Sequence, residues 1–453
     1  MHSRGTDGPR RREVLRARAG MSRRQFIKLS GGGIAGVSLL SACGGFGGGD
    51  DGGSGGGGGE TVFSFGPDDS GTLTKVLDRY NKQADTKASY QVMPADTGQY
   101  FDRIRTQFQA GGGDIDIIGG DVIWPGKFAA NGWIADLSDQ VPESERSKFL
   151  DGPIQSNTYE GKLYGVPWFT DAGMLYYRVD LLDKAGFSEP PTTYDELIEM
   201  AKKVQQDEGT KFGFVFQGAT YEGGVVDGLE YIWNAGGDVL DPNDATKVVI
   251  DSPEAAAGLA AERHFVDEGV TPEAVVNYTE TESQVAFTNG DAVFMRNWPY
   301  IFGIVGTPDS KIKADQLGVA PLPTLDSSIQ SSSGLGGWNF LVNAQTDDID
   351  AAFEMIDFFT APEQQKFRAL TGGFLPTLKE LYEDQEILDK VPVVKLGGEA
   401  LANSRSRPVS PYYSDMSLEM AEQFNASLKG EIPPDEVVGA LQTSLEEIVA
   451  EGK

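Results

Sequence analysis

The segment TVFSFGPDDSGTLTKVLDRYNKQ, residues 61–83, sets a short apolar run before a stretch of helical periodicity. Its first five residues, 61–65, predict a strand. Its later apolar residues recur at the spacing of one helix face: Leu73, Val76, Leu77 and Tyr80. The order repeats downstream, with helical spacing at Tyr100, Phe101, Ile104 and Phe108 and a strand predicted at 114–118 (DIDII). This alternation is typical of a parallel sheet covered by helices.

Later parts of the chain continue the alternation. Helices are predicted at 192–205, 252–269 and 348–360; Thr193 and Ser252 occupy expected N-cap positions, and Glu196 completes a capping box. The 453 residues exceed what one hydrophobic core usually serves, so at least two folding units are expected. After Cys43 the sequence has no apolar run of membrane-spanning length. We therefore predict an exported, soluble, two-lobed α/β protein.

The composition disfavours several kinds of functional site. The chain has one cysteine and only two histidines, His2 and His264, which argues against a disulfide framework, a zinc centre and a Ser/His/Asp triad. We expect no metal and no cofactor. Residues 1–42 hold nine of the 38 Lys and Arg but two of the 68 Asp and Glu, which leaves a balance of −37 in the rest. Because such a surface repels phosphates and anionic headgroups, nucleic acid is not an expected partner.

The N-terminal segment carries two adjacent export motifs. SRRQFIK at 22–28, followed by a short apolar stretch, resembles a twin-arginine signal. LSAC at 40–43 resembles a bacterial lipobox, which predicts removal of 1–42 and lipidation of Cys43. A basic leader with a chance cysteine is the alternative. Residues 43–59 are predicted to be a lipidated cysteine followed by a flexible tether, since 12 of the 16 positions after Cys43 are glycine. The body is therefore expected at the outer face of the cytoplasmic membrane, held there by the lipid anchor alone.

Aromatic residues recur beside Gly, Pro and polar side chains, as in GDVIWP (120–125), VPWFTD (166–171), MRNWPY (295–300) and GLGGWN (334–339). Rings beside chain breakers tend to lie at strand ends and loops, where clefts form. A sugar suits such a place, since its C–H faces stack on rings and its hydroxyls bond to Asp, Asn and Arg. A single buried Trp is more often part of a core, so the argument depends on the recurrence.

These segments, together with QGATYEGGVVDGLEYIWNAGG, GGFLPTLKELYED and RPVSPYY, appear in an order that resembles the family 1 extracellular solute-binding proteins of sugar ABC importers. The resemblance is to the trehalose/maltose-binding branch and extends from Thr61 to the C-terminal helix near 441–448. It implies the two-lobed periplasmic-binding-protein type II fold with an interlobe cleft. The implied lobes are 60–170 plus 318–371 and 171–317 plus 372–453, with crossings near Thr170, 318–322 and 372–376.

The resemblance also implies a set of ligand-binding residues and no catalytic ones. Three acids, two stacking indoles, a glycine backbone and an arginine correspond to the family pattern, and two more residues are expected to line the cleft: Asp69, Asp121, Asp171, Trp298, Trp338, Gly337, Arg407, Tyr221 and Glu222. Phe169 stands where the family often has a tyrosine, so one hydroxyl of the pattern is missing. The implied protein is a monomer that captures a glucose-containing di- or oligosaccharide by closing its lobes and delivers it to a membrane permease.

Three other interpretations remain at this stage. A lipid-anchored glycoside hydrolase would also combine carboxylates with aromatic subsites. A receptor for another oligosaccharide or for a polyol would share the same cleft. An adhesion or structural protein would show repeats or Thr- and Pro-rich stalks, and the sequence has neither.

Overall fold

The computed structural model describes residues 59–451 except 69, 113, 242, 243, 409 and 411. Its strands are β1 (Thr61–Phe65), β2 (Ala88–Val92), β3 (Ile117–Asp121), β4 (Thr158–Tyr159), β5 (Lys162–Leu163), β6 (Val166–Ala172), β7 (Met174–Arg178), β8 (Phe212–Val215), β9 (Leu240–Asp241), β10 (Asp244–Val248), β11 (Ala292–Asn297), β12 (Leu317–Ala320), β13 (Ser333–Val342) and β14 (Ser404–Arg405).

The α-helices are α1 (Thr72–Gln83), α2 (Thr97–Gln109), α3 (Pro125–Ala130), α4 (Glu143–Arg146), α5 (Asp151–Ser156), α6 (Val179–Ala185), α7 (Tyr194–Glu208), α8 (Glu222–Trp233), α9 (Pro253–Asp267), α10 (Glu280–Thr288), α11 (Ile301–Ile304), α12 (Ile349–Thr360), α13 (Pro362–Gly372), α14 (Gln385–Lys390), α15 (Pro392–Ala402), α16 (Tyr413–Leu428) and α17 (Pro434–Glu451). Short 3₁₀ helices lie at Glu273–Asn277, Ala314–Gln316 and Lys379–Glu383.

Two sheets organise these elements into two lobes. The sheet of the first lobe has the order β14-β13-β3-β1-β2, and β6 also pairs with β13. The sheet of the second lobe has the order β12-β7-β11-β8. In the first sheet β1 runs parallel to β2 and β3, whereas β13 is antiparallel to both β3 and β6. Strand β13 therefore brings β3 and β6, which are distant in sequence, to its two sides.

Each lobe has an aromatic core beneath its sheet. In the first lobe Phe63 and Phe340 are fully buried, with ring centroids 5.3 Å apart, and Trp168 lies 4.7 Å from Phe340. In the second lobe Phe214 and Tyr194 each pack against Phe265. Burying a side chain of this size stabilises the fold by roughly 1.5–3 kcal/mol. No helix in the described ranges is long and apolar enough to cross a membrane.

The predicted local elements form, with one shift. Thr193 and Glu196 make the capping box of α7, and Ser252 caps α9 through the backbone N–H of Ala255. The strand predicted at 114–118 lies instead at 117–121. The reason is that the Asp116 carboxylate accepts the backbone N–H of Val62 at 2.8 Å, so this residue serves as a loop anchor outside the strand.

The chain crosses between the sheets three times. Gly173 joins β6 to β7, residues 321–332 join β12 to β13, and residues 406–412 join β14 to α16. The third crossing predicted near 372–376 is wrong, because Leu375 forms a β-bridge with Thr170 and is fully buried in the first lobe. Helix α15 packs on the same lobe, so the segment from 374 to 405 belongs there. The predicted start of a first-lobe segment at 318 is also early, since β12 pairs with β7 of the second lobe.

One buried ion pair holds two of the crossings. Arg296 on β11 donates to Glu230 on α8 from Nε at 2.8 Å and from Nη2 at 2.7 Å. Glu230 also accepts the backbone N–H of Gly334 at 2.8 Å. A Cβ on Gly173 would lie 2.2 Å from Glu230 Oε1, so only glycine allows the first crossing to pass over this pair. Two second-lobe side chains, Arg296 and Glu230, therefore hold the first and second crossings in place.

Candidate functional site

Arg407 lies on the third crossing and joins acidic groups of the two lobes. Its Nη2 donates to Asp121 Oδ1 at 2.9 Å, and its Nη1 donates to Glu222 Oε1 at 2.7 Å. Asp121 ends β3 in the first lobe, whereas Glu222 begins α8 in the second. Tyr413 donates its hydroxyl to Glu222 at 2.6 Å, and Ser417 donates to the other carboxylate oxygen. Three of the sequence-predicted residues therefore meet in one hydrogen-bonded group.

The charges in this group act on one another. Burial raises the pKa of Asp121, while the Arg407 guanidinium opposes that shift and Glu222 adds to it. Burial alone would lower the pKa of Arg407, but Asp121 and Glu222 outweigh burial and raise it. Among the residues that the structure describes, Arg407 Nε has no hydrogen-bond acceptor. One buried donor of this guanidinium is thus unpaired within the described residues.

Strand β13 places three more predicted residues beside Asp121. In the sheet register Trp338 is opposite Asp121, and Gly336 is opposite Asp171 of β6. Gly337 lies between them with φ of 127°, where a Cβ would stand 2.6 Å from the carbonyl oxygen of Phe169. Only glycine fits this position, so its backbone is left uncovered by any side chain of its own.

Asp171 is a buried carboxylate that makes no side-chain hydrogen bond within the described chain. It is 9% exposed. Burial raises its pKa to about 7, with Asp121 adding to the shift and both Arg368 and Arg296 opposing it. The oxygens of this residue are therefore available to a ligand that can donate hydrogen bonds.

Trp338 is half-buried and held by other rings of the first lobe. Its ring is perpendicular to Phe65 at 4.9 Å and to Trp124 at 5.6 Å, and it is parallel to Tyr100 at 6.1 Å. These contacts fix the orientation of the indole plane without covering it completely. A ring held in this way can stack on an apolar ligand face.

Trp298 belongs to the second lobe but reaches β13. It follows β11, its Nε1 donates to Glu280 at 3.3 Å, and Arg296 lies 4.1 Å over its ring. A Cβ on Gly336 would be 3.0 Å from its Cζ3 atom, so the indole edge lies against the first lobe next to Asp171. Tyr221 donates its hydroxyl to the other oxygen of Glu280 at 2.7 Å. Both predicted aromatic residues of the second lobe thus share one acceptor.

Asp69, the first acid of the predicted set, and Cys43 lie outside the described residues. The neighbouring Asp68 accepts the backbone N–H of Thr74, in the first turn of α1, at 2.8 Å. Sequence reasoning missed Glu280, Tyr413 and Arg368. Tyr413 is part of the SRPVSPYY motif and could have been chosen with Arg407. Glu280 and Arg368 stand in helical segments with no cleft-like neighbours, so no local signal identified them.

The arrangement suits binding of a neutral, hydroxyl-rich molecule. It combines two indole rings from opposite lobes, the carboxylates of Asp121 and Asp171, and the guanidinium of Arg407. Charged hydrogen bonds in a buried site contribute roughly 1.5–3 kcal/mol each, and a site with unpaired acceptors discriminates against ligands that lack the matching hydroxyl.

Comparisons with known proteins identify the family of the chain. Residues 66–366 match the family described as bacterial extracellular solute-binding protein. The chain belongs to that family. A relative in Deinococcus radiodurans, named "Probable ABC transporter-binding protein", is 33% identical over 377 residues, covering 82% of this chain and 88% of that protein. The solved structure named "Maltose bound T. maritima MalE3" has a TM-score of 0.81 and 38% identity, covering 85% of this chain and 98% of that one.

A third relative is the maltotriose-binding protein of Pyrococcus abyssi, 28% identical over 292 residues, or 64% of this chain and 60% of that protein. These comparisons confirm the predicted fold, a two-lobed type II solute-binding protein, and the predicted class, a solute-binding protein of a sugar ABC importer. Export, as the family implies, is confirmed as well.

Proposed function

We propose that this solute-binding protein captures a glucose-containing di- or oligosaccharide, such as maltose or trehalose, without altering it. The observation that carries the proposal is the meeting of both lobes at the 336–338 segment of β13. There Trp298 of one lobe lies against Gly336 next to Asp171, and Trp338 is opposite Asp121 in the sheet of the other lobe. The maltose bound to the T. maritima protein and the maltotriose in the name of the P. abyssi relative support this class of ligand.

In the proposed mechanism, rings supply affinity and charged groups supply specificity. Trp338 and Trp298 stack on the C–H faces of the sugar, each contributing about 1 kcal/mol beyond burial. Asp121 and Asp171 accept hydroxyl hydrogens, the Arg407 guanidinium donates to a hydroxyl or ring oxygen, and the Gly337 backbone lies against the sugar. Tyr221 and Glu222 line the second-lobe wall. Because the ligand contacts both lobes, it favours the closed form.

Titration calorimetry of the purified body against maltose, trehalose, sucrose, maltotriose and mannitol tests this proposal. We expect saturable binding of at least one glucose-containing sugar and weaker or no binding of mannitol. Absence of binding to every sugar would reject the proposal. Incubation with the tightest ligand should release no glucose over hours, whereas sustained turnover would support a glycoside hydrolase.

Delivery of the sugar to the membrane is proposed to need a permease and a lipid anchor. A permease of an ABC importer receives the sugar from the closed form, and a lipid on Cys43 holds the monomer at the outer face of the cytoplasmic membrane. The LSAC motif at 40–43 and the Gly-rich stretch behind it support the anchor. One acyl chain binds a membrane only marginally, so Cys43 is expected to carry more than one.

A further inference from the structure

Arg368 is a buried cation enclosed by aromatic rings. It lies on α13 and is 3% exposed. Its guanidinium carbon is 4.1 Å from the ring centre of Trp168, 4.7 Å from that of Phe169 and 4.2 Å from that of Phe374. Its Nε donates a hydrogen bond to Thr72 Oγ1 at 3.4 Å. The rings pack around the guanidinium, and among the described residues its other N–H groups have no hydrogen-bond acceptor.

The other two buried arginines are paired differently. Arg296 contacts Asp227 and Glu230, and Arg407 contacts Asp121 and Glu222. No carboxylate among the described residues forms an ion pair with Arg368. Burying a charge without such partners is costly, and burial lowers the pKa of Arg368 to about 9, which still leaves the group charged at neutral pH. A cost of this kind is offset when a ligand supplies the missing acceptor.

Asp171 is a candidate-cleft carboxylate that, like Asp68, interacts electrostatically with Arg368. It stands two residues after Phe169 on β6, so both side chains are on the same face of the sheet. Arg368 stacks on the Phe169 ring and acts electrostatically on Asp171. The two charges are not joined by an ion pair, and the Asp171 carboxylate has no hydrogen bond within the described chain. An unpaired donor and an unpaired acceptor therefore lie within electrostatic range of each other, on the Phe169 side of β6.

We propose that Arg368 and Asp171 together bind one hydroxyl group of the sugar, with the guanidinium donating to its oxygen and the carboxylate accepting its hydrogen. Arg368 is then a specificity-determining residue of the cleft. A hydroxyl fits because it donates and accepts at once. Asp171 disfavours a ligand carboxylate or phosphate at this point, and Arg368 disfavours an ammonium group. The inference rests on the proposed function, and it adds a selection rule for neutral sugars over acidic and amino sugars.

The experiment compares Arg368→Met with Arg79→Met, a matched control. Arg79 also stacks on a phenylalanine, with its guanidinium 3.8 Å from the Phe367 ring centre, and it donates to Gln364 at 3.0 Å. It lies on α1 about two helical turns beyond Thr72. Calorimetry is run with maltose, trehalose and the monodeoxy analogues of whichever binds more tightly. We expect the wild type to lose at least tenfold in affinity for one analogue.

Arg368→Met should bind the parent sugar at least tenfold more weakly than wild type does. Its affinity for the deoxy analogue should be less than threefold below its affinity for the parent sugar. Asp171→Asn should bind the parent sugar and the analogue that lacks this hydroxyl with equal affinity. Arg79→Met should retain wild-type affinity and the full deoxy penalty. A folded Arg368→Met variant that binds within twofold of wild type, or that keeps the full penalty, overturns the inference while leaving the proposed function intact.

Two further outcomes are decisive. If the wild type binds no sugar, the proposed function fails and this inference fails with it. If Arg368→Met does not fold, Arg368→Lys replaces it, because lysine keeps the charge but cannot hold a planar donor pair against the rings. At least fivefold weaker binding by Arg368→Lys supports the assignment, and unchanged binding overturns it.

Discussion

Arg407 and Asp121 form a 2.9 Å hydrogen-bonded ion pair between the third crossing and the first lobe. The same guanidinium donates to Glu222 of the second lobe, so one side chain neutralises an acid on each wall of the cleft. Lys127 and Asp415 make a second, longer contact between the lobes at 3.7 Å. These protein groups therefore join the two lobes without a ligand.

Replacing Arg407 should weaken both closure and binding. In Arg407→Met, Asp121 and Glu222 are left as neighbouring buried acids, and leaving a buried charge without its partner costs roughly 3–5 kcal/mol. We expect at least tenfold weaker sugar binding by calorimetry and a larger radius of gyration by small-angle scattering. Arg405→Met is the control, since that side chain pairs with Asp238 and is about a third exposed. Equal affinities of the two variants would contradict the bridging role.

Trp298 and Asp171 should contribute to binding more than to stability. Trp298→Ala removes a ring that touches β13, and Asp171→Ala removes a carboxylate with no hydrogen bond of its own in the described chain. Each variant is expected to bind sugar at least tenfold more weakly with a nearly unchanged unfolding midpoint. Trp133→Ala is the control, because the Trp133 ring packs on Phe108 at 5.3 Å and on Phe128 at 5.8 Å, neither of which is a candidate-site residue. Near-wild-type affinity in both cleft variants would mean that the cleft is misplaced.

The sequence predicted helices well because their signals are local. Thr193, Glu196 and Ser252 stand next to the helices that they cap, and the apolar faces of α1 and α12 follow a single period. The third crossing was misplaced because Gly and Pro in GGFLP are as compatible with a buried turn as with a hinge. Leu375 decides between them by its burial, which depends on residues far away in sequence.

The candidate site was predictable only where family motifs mark it. Asp121, Glu222 and Arg407 meet as the resemblance implies, although their contributions as ligand contacts remain predictions. Glu280 and Arg368 acquire their environment from tertiary packing, since Glu280 meets Trp298 through the α10–β11 arrangement and Arg368 meets Trp168 through a helix placed on the sheet. No periodic pattern in the sequence predicts either contact.

Cys43 should determine whether the exported protein stays at the membrane. In Cys43→Ser the acyl acceptor is absent, so the full chain expressed in a bacterium should move from the membrane pellet to the soluble exported fraction. Labelled palmitate should enter the wild type and not the variant. Substituting Arg23 and Arg24 together by lysine is the companion experiment, and it should retain the protein in the cytoplasm. Membrane association that persists in Cys43→Ser would exclude lipidation as the anchor.

Arg296 should be the most sensitive charged residue for stability. It is 3% exposed and pairs with Asp227 and Glu230, and the latter also holds Gly334 at the second crossing. Arg296→Met leaves two buried acids uncompensated, so we expect a loss of about 3–5 kcal/mol in the free energy of unfolding. Arg105→Met, which breaks an exposed pair with Asp102, should cost less than about 1 kcal/mol. Denaturant titration measures both, and equal midpoints would refute the structural role of the pair.

Sugar affinity should depend on pH through Asp171. Burial raises the pKa of this carboxyl to about 7, Asp121 adds to the shift, and Arg368 and Arg296 oppose it. A hydroxyl donates best to the ionised form, so binding should release a proton and become tighter as pH rises. Since the ionised fraction changes about tenfold between pH 6 and pH 8 for a group of this pKa, we expect a similar change in Kd.

The raised pKa of Asp171 affects stability in the opposite direction, because the free energy of unfolding should fall as pH rises. Because the folded protein holds this proton more tightly than the unfolded chain, the contribution of Asp171 to stability is present below its unfolded pKa and is lost as pH rises towards 7. Asp171→Asn removes the titration and should flatten the dependence of Kd on pH while leaving weaker binding at every pH. Calorimetry in buffers of different ionisation enthalpy counts the released protons. A pH-independent Kd in the wild type, or an unchanged profile in Asp171→Asn, would assign the ligand contact to another acid.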